Sequence, residues 1–140
     1  MLILLVLLLL IAVFTDWKNG KIPNLLIVTG SIAGILLTKD PYDNILQAVS
    51  VIILFFPFYL LRALGAGDIK CIAMTALYLQ PDQFQSSILY TFLVAAAISL
   101  IKILYIKFRS KEKISLHSIT IRFALPIFTG VLLSIGGIYL

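Results

Sequence analysis

The chain is 140 residues long, 61% hydrophobic and only 12% charged, with a mean hydropathy of +1.12 and a formal net charge of +5. A water-soluble domain carries about a quarter charged residues, so a chain this poor in charge has lipid as its solvent. Its basic residues sit in short loops between apolar runs, which argues against nucleic acid as a partner, and its single cysteine, Cys71, excludes an internal disulfide and a multi-cysteine zinc site.

Only helices and closed barrels satisfy their backbone polar groups inside a bilayer. A barrel alternates in segments of about ten residues, whereas the apolar runs here are continuous. The fold class is therefore all-α: a polytopic membrane protein of about six transmembrane helices, forming a single domain over residues 1–140.

The first apolar segment runs from Met1 to Thr15. It has no basic residues ahead of it and no small-residue cleavage site, so it reads as a membrane helix and not a removable signal. Asp16, Lys18 and Lys21 follow, and the second segment runs from Ile22 to Thr38. It opens on Ile22-Pro23-Asn24, where proline suits a first helical turn. Lys39, Asp40 and Asp43 lead to a third segment, Ile45 to Leu61. Arg62 and the run Gly65-Ala66-Gly67-Asp68, with Lys70 beyond it, lead into a fourth, Ile69 to Leu79. A straight crossing needs about 20 residues, so this fourth segment is expected to tilt or to start within the membrane region; five spans is the alternative if it does not cross. Asp82 precedes the fifth segment, Phe84 to Ile106. A polar stretch, Ser110 to Ser118, reads as a solvated loop before the sixth, Ile119 to Leu140.

The loops alternate in charge. Lys18 and Lys21, then Arg62 and Lys70, then Lys107, Arg109, Lys111, Lys113 and Arg122 occupy every second connection, while the others hold Lys39 alone. Positively charged loops stay in the cytoplasm. The basic connections are thus expected inside and both chain ends outside.

The acidic residues are few enough to weigh singly. Asp40, Asp43 and Asp82 lie beside Pro41 or Pro81 and read as turn residues, and Glu112 sits among lysines. Asp16 and Asp68 each abut an apolar run, and two spans between them return the chain to the same face. Asp68 also reads as a helix N-cap, and Asp16 as an interfacial residue near Lys18 and Lys21. If the two approach, both cannot ionise, so they share a proton and one pKa rises, the more so in low dielectric. The ionised member then takes a proton from water while the other donates to a scissile carbonyl. That chemistry needs neither metal nor cofactor. Gly65 and Gly67 either permit positive φ and close backbone approach beside Asp68 or form a flexible turn. Cys71 reads as a packing residue, His117 as a loop histidine, Trp17 and the tyrosines as interfacial anchors, and Phe55, Phe56 and Phe58 as facing lipid or neighbouring helices.

Asp16 followed by Ile22-Pro23-Asn24 resembles the first-aspartate motif of type IV prepilin leader peptidases, the GxGD-class membrane aspartic peptidases. Gly65-Ala66-Gly67-Asp68-Ile69-Lys70 is similar to their second motif, and Phe123-Ala124-Leu125-Pro126 with Gly130 more loosely resembles their last membrane helix. The resemblance implies that Asp16 and Asp68 are the catalytic pair, with Pro23, Asn24, Gly65, Gly67 and Lys70 as supporting motif residues. It implies removal of a short basic leader from pilin-like precursors at the cytoplasmic membrane boundary. Lys70 would tune the Asp68 charge or hold the loop. Many members carry an additional loop with two cysteine pairs and also N-methylate the product. This chain has only Cys71, so a short peptidase-only form is expected. The competing readings are a membrane aspartic protease with another substrate and a non-enzymatic small transporter or assembly subunit. A transporter would place its acids near the bilayer midplane.

Overall fold

The computed structural model describes residues 1–109 and 123–137, which are helical and contain no strand. The helices are α1 (Leu2–Asn19), α2 (Asn24–Leu37), α3 (Pro41–Leu60), α4 (Ala66–Ala76), α5 (Pro81–Arg109) and α6 (Ala124–Ile135). Among the described residues three are long and apolar enough to cross a membrane: α1, α3 and the Pro81–Tyr105 part of α5; α2 and α6 are shorter apolar helices. Glu112, Lys111, Lys113, His117 and Arg122 lie outside the described residues.

The helix ends depart from the hydropathy boundaries in ways that matter for the polar residues. The first helix runs on from Thr15 to Asn19, so Asp16 is a helical residue and not a loop one. Gly20 ends it in the left-handed conformation (φ 65°), donating its N–H to the Asp16 carbonyl at 2.9 Å. The third helix starts at Pro41 and the fifth at Pro81, each with proline ahead of its first-turn acid, Asp43 or Asp82. Lys107 and Arg109 belong to α5 rather than to the loop after it, since no helix breaker follows Ile106. Pro23 is the N-cap of α2, just ahead of its first turn.

The shortest of the apolar segments is the most enclosed. Ile69 and every residue from Cys71 to Leu79 are buried. A helix apolar on all sides belongs in an interior, and α4 packs against α2, α3, α5 and α6. The outer helices turn Leu7, Phe14, Leu25, Leu36, Ile53 and Leu100 outward, as suits a lipid exterior.

Small residues set the close crossings. Gly30 and Gly34 are one turn apart on α2, a spacing that lets membrane helices approach. A Cβ at Gly30 would strike the Met74 sulfur, and one at Gly34 would lie 2.8 Å from the Tyr78 ring. The Tyr78 hydroxyl donates to the Gly30 carbonyl at 2.6 Å, so a buried polar atom on α4 finds its partner where α2 comes closest. On the other side, Gly130 of α6 lies against the backbone of Ser87 and Thr91 on α5. Phe55 is buried and stacks on Phe92, which meets Phe123, linking α3, α5 and the start of α6. Phe56 and Phe58 remain exposed.

The α3–α4 connection is a tight reversal. Ala63 donates to the Phe58 carbonyl at 2.9 Å and Arg62 to that of Tyr59 at 3.0 Å, the paired bonds of a Schellman turn. Arg62 takes the left-handed position (φ 56°) where glycine is usual. At the other end, the Asn44 side chain donates to the Leu77 carbonyl at 3.1 Å, so α3 and α4 run antiparallel with the α4 C-terminus beside the start of α3. The C-termini of α1 and α3 and the N-termini of α2 and α4 therefore share one end of the bundle.

Candidate active site

Asp16 sits at that end on the inner face of α1. It continues the buried stripe Leu5, Leu9 and Ala12 and is itself only 7% exposed. These positions recur at helical spacing, so the apolar stripe that packs α1 on α2 and α6 carries the carboxylate inward with it. An interfacial residue would face out, as the exposed Trp17 and Lys18 do. The interfacial reading of Asp16 is therefore not what the fold shows.

Asp68 is the third residue of α4, with Gly65 as the N-cap, so it is not the N-cap itself. Its Oδ2 accepts the Gly65 N–H at 3.2 Å, reaching back across the first turn. The residue is half-buried and stands ahead of the apolar run 69–79. Burial, which penalises the charged form, pushes its carboxyl up from 3.8 to about 6; the Gly65 hydrogen bond pulls it down, and the nearby Asp16 charge pushes it further up. The Asp16 charge thus reaches the Asp68 carboxyl although their helices are far apart in sequence.

The positive φ that glycine permits is used at neither Gly65 nor Gly67. Gly65 is extended (φ −75°, ψ 148°), and the positive-φ glycines among the described residues are Gly20 and Gly137. Gly65 is needed for space instead: a Cβ there would lie 2.9 Å from Asp68 Oδ2 and displace the carboxylate from the backbone N–H it holds. A Cβ on Gly67 would lie 3.8 Å from Ile22, an ordinary contact. That near approach places the α1–α2 turn against the first turn of α4.

A second link joins the same two pieces. Lys70 Nζ donates to Asn24 Oδ1 at 3.3 Å. Asp16, the Ile22-Pro23-Asn24 turn and the run Gly65 to Lys70 therefore gather at one end of the bundle. Cys71, fully buried, lies one turn beyond Asp68. Sequence reasoning passed over Gly20, whose signal was a glycine just past an apolar helix.

Chemically, the arrangement offers two carboxyl groups in unequal surroundings at the edge of an apolar bundle. One holds its proton into the mildly acidic range. Such a pair supplies an acid and a base together.

A family model described as the type IV leader peptidase family matches residues 3–101, a stretch that contains both aspartates and both motifs. No curated protein and no solved structure matches the chain.

Proposed function

The chain belongs to the type IV leader peptidase family, and from that membership we propose that it is an aspartic endopeptidase whose catalytic pair is Asp16 and Asp68. It is a membrane protein and, as a family member, a peptidase. Its substrates are pilin-like precursors, from which it removes a short basic leader at the cytoplasmic face of the membrane.

The observation that carries this reading is the convergence of the two motifs at one end of the bundle, where Lys70 bonds Asn24, Ile22 lies near Gly67, and the helices so joined carry the buried Asp16 and the half-buried Asp68. In the reaction a water molecule lies between the carboxyl groups. The ionised member takes its proton as the oxygen attacks the scissile carbonyl carbon, and the protonated member gives its proton to the carbonyl oxygen. The tetrahedral intermediate collapses by breaking the C–N bond. The leaving amine takes a proton and the pair returns to its starting state. The raised pKa of Asp68 favours it as the initial proton holder. Gly65 keeps its carboxylate in place, and Gly67 leaves room beside it for a substrate backbone.

The charge alternation of the loops supports a cytoplasmic site, with the motif-bearing connections inside. A peptidase without N-methyltransferase activity fits Cys71 as the lone cysteine and the short connection between α1 and α2. Production with a pilin-like precursor in a peptidase-deficient host tests the reading, with the precursor N-terminus determined by mass spectrometry. Leader removal by the parent protein, and none by Asp16→Asn or Asp68→Asn at equal membrane levels, is expected. Cleavage by both variants would refute the aspartate roles.

A further inference from the structure

Lys70 stands apart from its surroundings. From Ile69 to Leu79 it is the one exposed residue in an otherwise buried run, and it lies two positions from Asp68. Residues so spaced do not share a helix face. On that spacing the Lys70 ammonium leaves α4 on a different side from the Asp68 carboxylate. Its recorded partner is instead the Asn24 side chain, 3.3 Å away and on another helix. Asn24, for its part, is the first residue of α2, directly after the N-cap Pro23, and its carboxamide oxygen is turned to Lys70.

We propose that Lys70 and Asn24 are a positioning pair, a polar latch that holds the α1–α2 turn against the first turn of α4 and so fixes the spacing of Asp16 and Asp68. The proposal rests on the catalytic reading of those aspartates. Its physical basis is the way the two helices are held. Both α1 and α4 pack on α2 and on α6, so their mutual placement is relayed through shared neighbours. At the site end the relay passes through the turn that begins at the left-handed Gly20 and finishes at Asn24. Ile22 lies near the α4 turn on the apolar side, and the latch closes it from the polar side. A small error in such a placement costs rate steeply, because catalytic groups act only near their productive geometry.

The latch predicts a pattern that charge tuning does not. Lys70→Met and Asn24→Ala each lower kcat by about five- to tenfold, the equivalent of one ordinary, solvent-exposed hydrogen bond, with KM changed by less than about twofold. The double variant is no worse than either single one. Lys70→Arg, which keeps the donor, restores most of the rate, and the pH midpoint of kcat stays in place in all four. A midpoint that rises in Lys70→Met would overturn the latch in favour of charge tuning, and so would an Asn24→Ala variant that cleaves at the parent rate. A second measurement needs no cleavage at all. In an Ile22→Cys background, labelling by a membrane-impermeant maleimide accelerates about fivefold when Lys70→Met or Asn24→Ala is added; the parent thiol, Cys71, is fully buried. Unchanged labelling would refute the latch even in an active enzyme. Accelerated labelling in a protein that cleaves no precursor would keep the latch and place the fault with the catalytic reading.

Discussion

Replacing Asp68 by asparagine is expected to abolish cleavage and, at neutral pH, to make the protein more stable. The carboxyl is raised from 3.8 to about 6 in the folded chain. Between those values the folded state holds a proton that the unfolded state has released. Stability therefore falls as pH rises from about 4 to about 6, and the deficit stays constant above that. A shift of about two units corresponds to about 3 kcal/mol at 1.36 kcal/mol per unit. Asp68 is partly open to solvent, and screening brings the figure to about 1–2 kcal/mol. Asparagine carries no charge to desolvate, and its side-chain oxygen can still accept the Gly65 N–H that Oδ2 accepts in the parent. Thermal unfolding of the two purified proteins in the same detergent, from pH 4 to pH 8, measures the effect. The variant should melt a few degrees higher at pH 7 and 8, and the gap should close towards pH 4. A gap that is independent of pH, or a variant that is less stable at pH 8, would refute the reasoning.

Three further outcomes follow from the packing. Gly65→Ala forces a methyl group against Asp68 Oδ2 and should lower kcat about tenfold, the loss of one hydrogen bond to a carboxylate; Gly67→Ala, which meets only Ile22 at ordinary distance, should leave the fold intact, so any loss of its activity would show as raised KM. Gly130→Ala meets the backbone of Ser87 and Thr91 and should cost about 2 kcal/mol or more, whereas Gly30→Ala meets the flexible end of Met74 and should cost less, a contrast read by thermal unfolding. Arg62→Gly relieves a left-handed residue at the α3 turn and should stabilise by about 0.5–1 kcal/mol, while Arg62→Ala, which keeps the strain, should gain nothing.

Much of this architecture is legible in composition and pattern. Continuous apolar runs give helices, and their breaks give the turns. The two acids next to long apolar runs, Asp16 and Asp68, stand out because the remaining acids sit beside prolines or lysines. Hydropathy is a poor guide to helix ends, because backbone hydrogen bonding continues through polar residues until a glycine or proline stops it. Thus α1 continues to Gly20 and takes Asp16 into its last turn. The short fourth segment suggested a tilted or partial crossing; its cause is enclosure, since a helix surrounded by others need not meet lipid. The glycine pair of α2 was visible as small residues one turn apart, but only the partner helix shows what it admits. The partnership of Asn24 with Lys70 is beyond local reading altogether, because it depends on how two turns distant in sequence meet. The polar stretch Ser110 to Ser118, with Glu112 and His117, lies outside the described residues.

The central claim is that Asp16 and Asp68 act as one unit. It is tested most directly with purified protein in liposomes and a single pilin-like precursor, by comparing the initial cleavage rates of the parent, Asp16→Asn, Asp68→Asn and the double variant. Groups that work together fail together. The account predicts that each single variant loses nearly all activity and that the double variant is no slower than either. Appreciable cleavage by one single variant, or losses that multiply in the double, would contradict it.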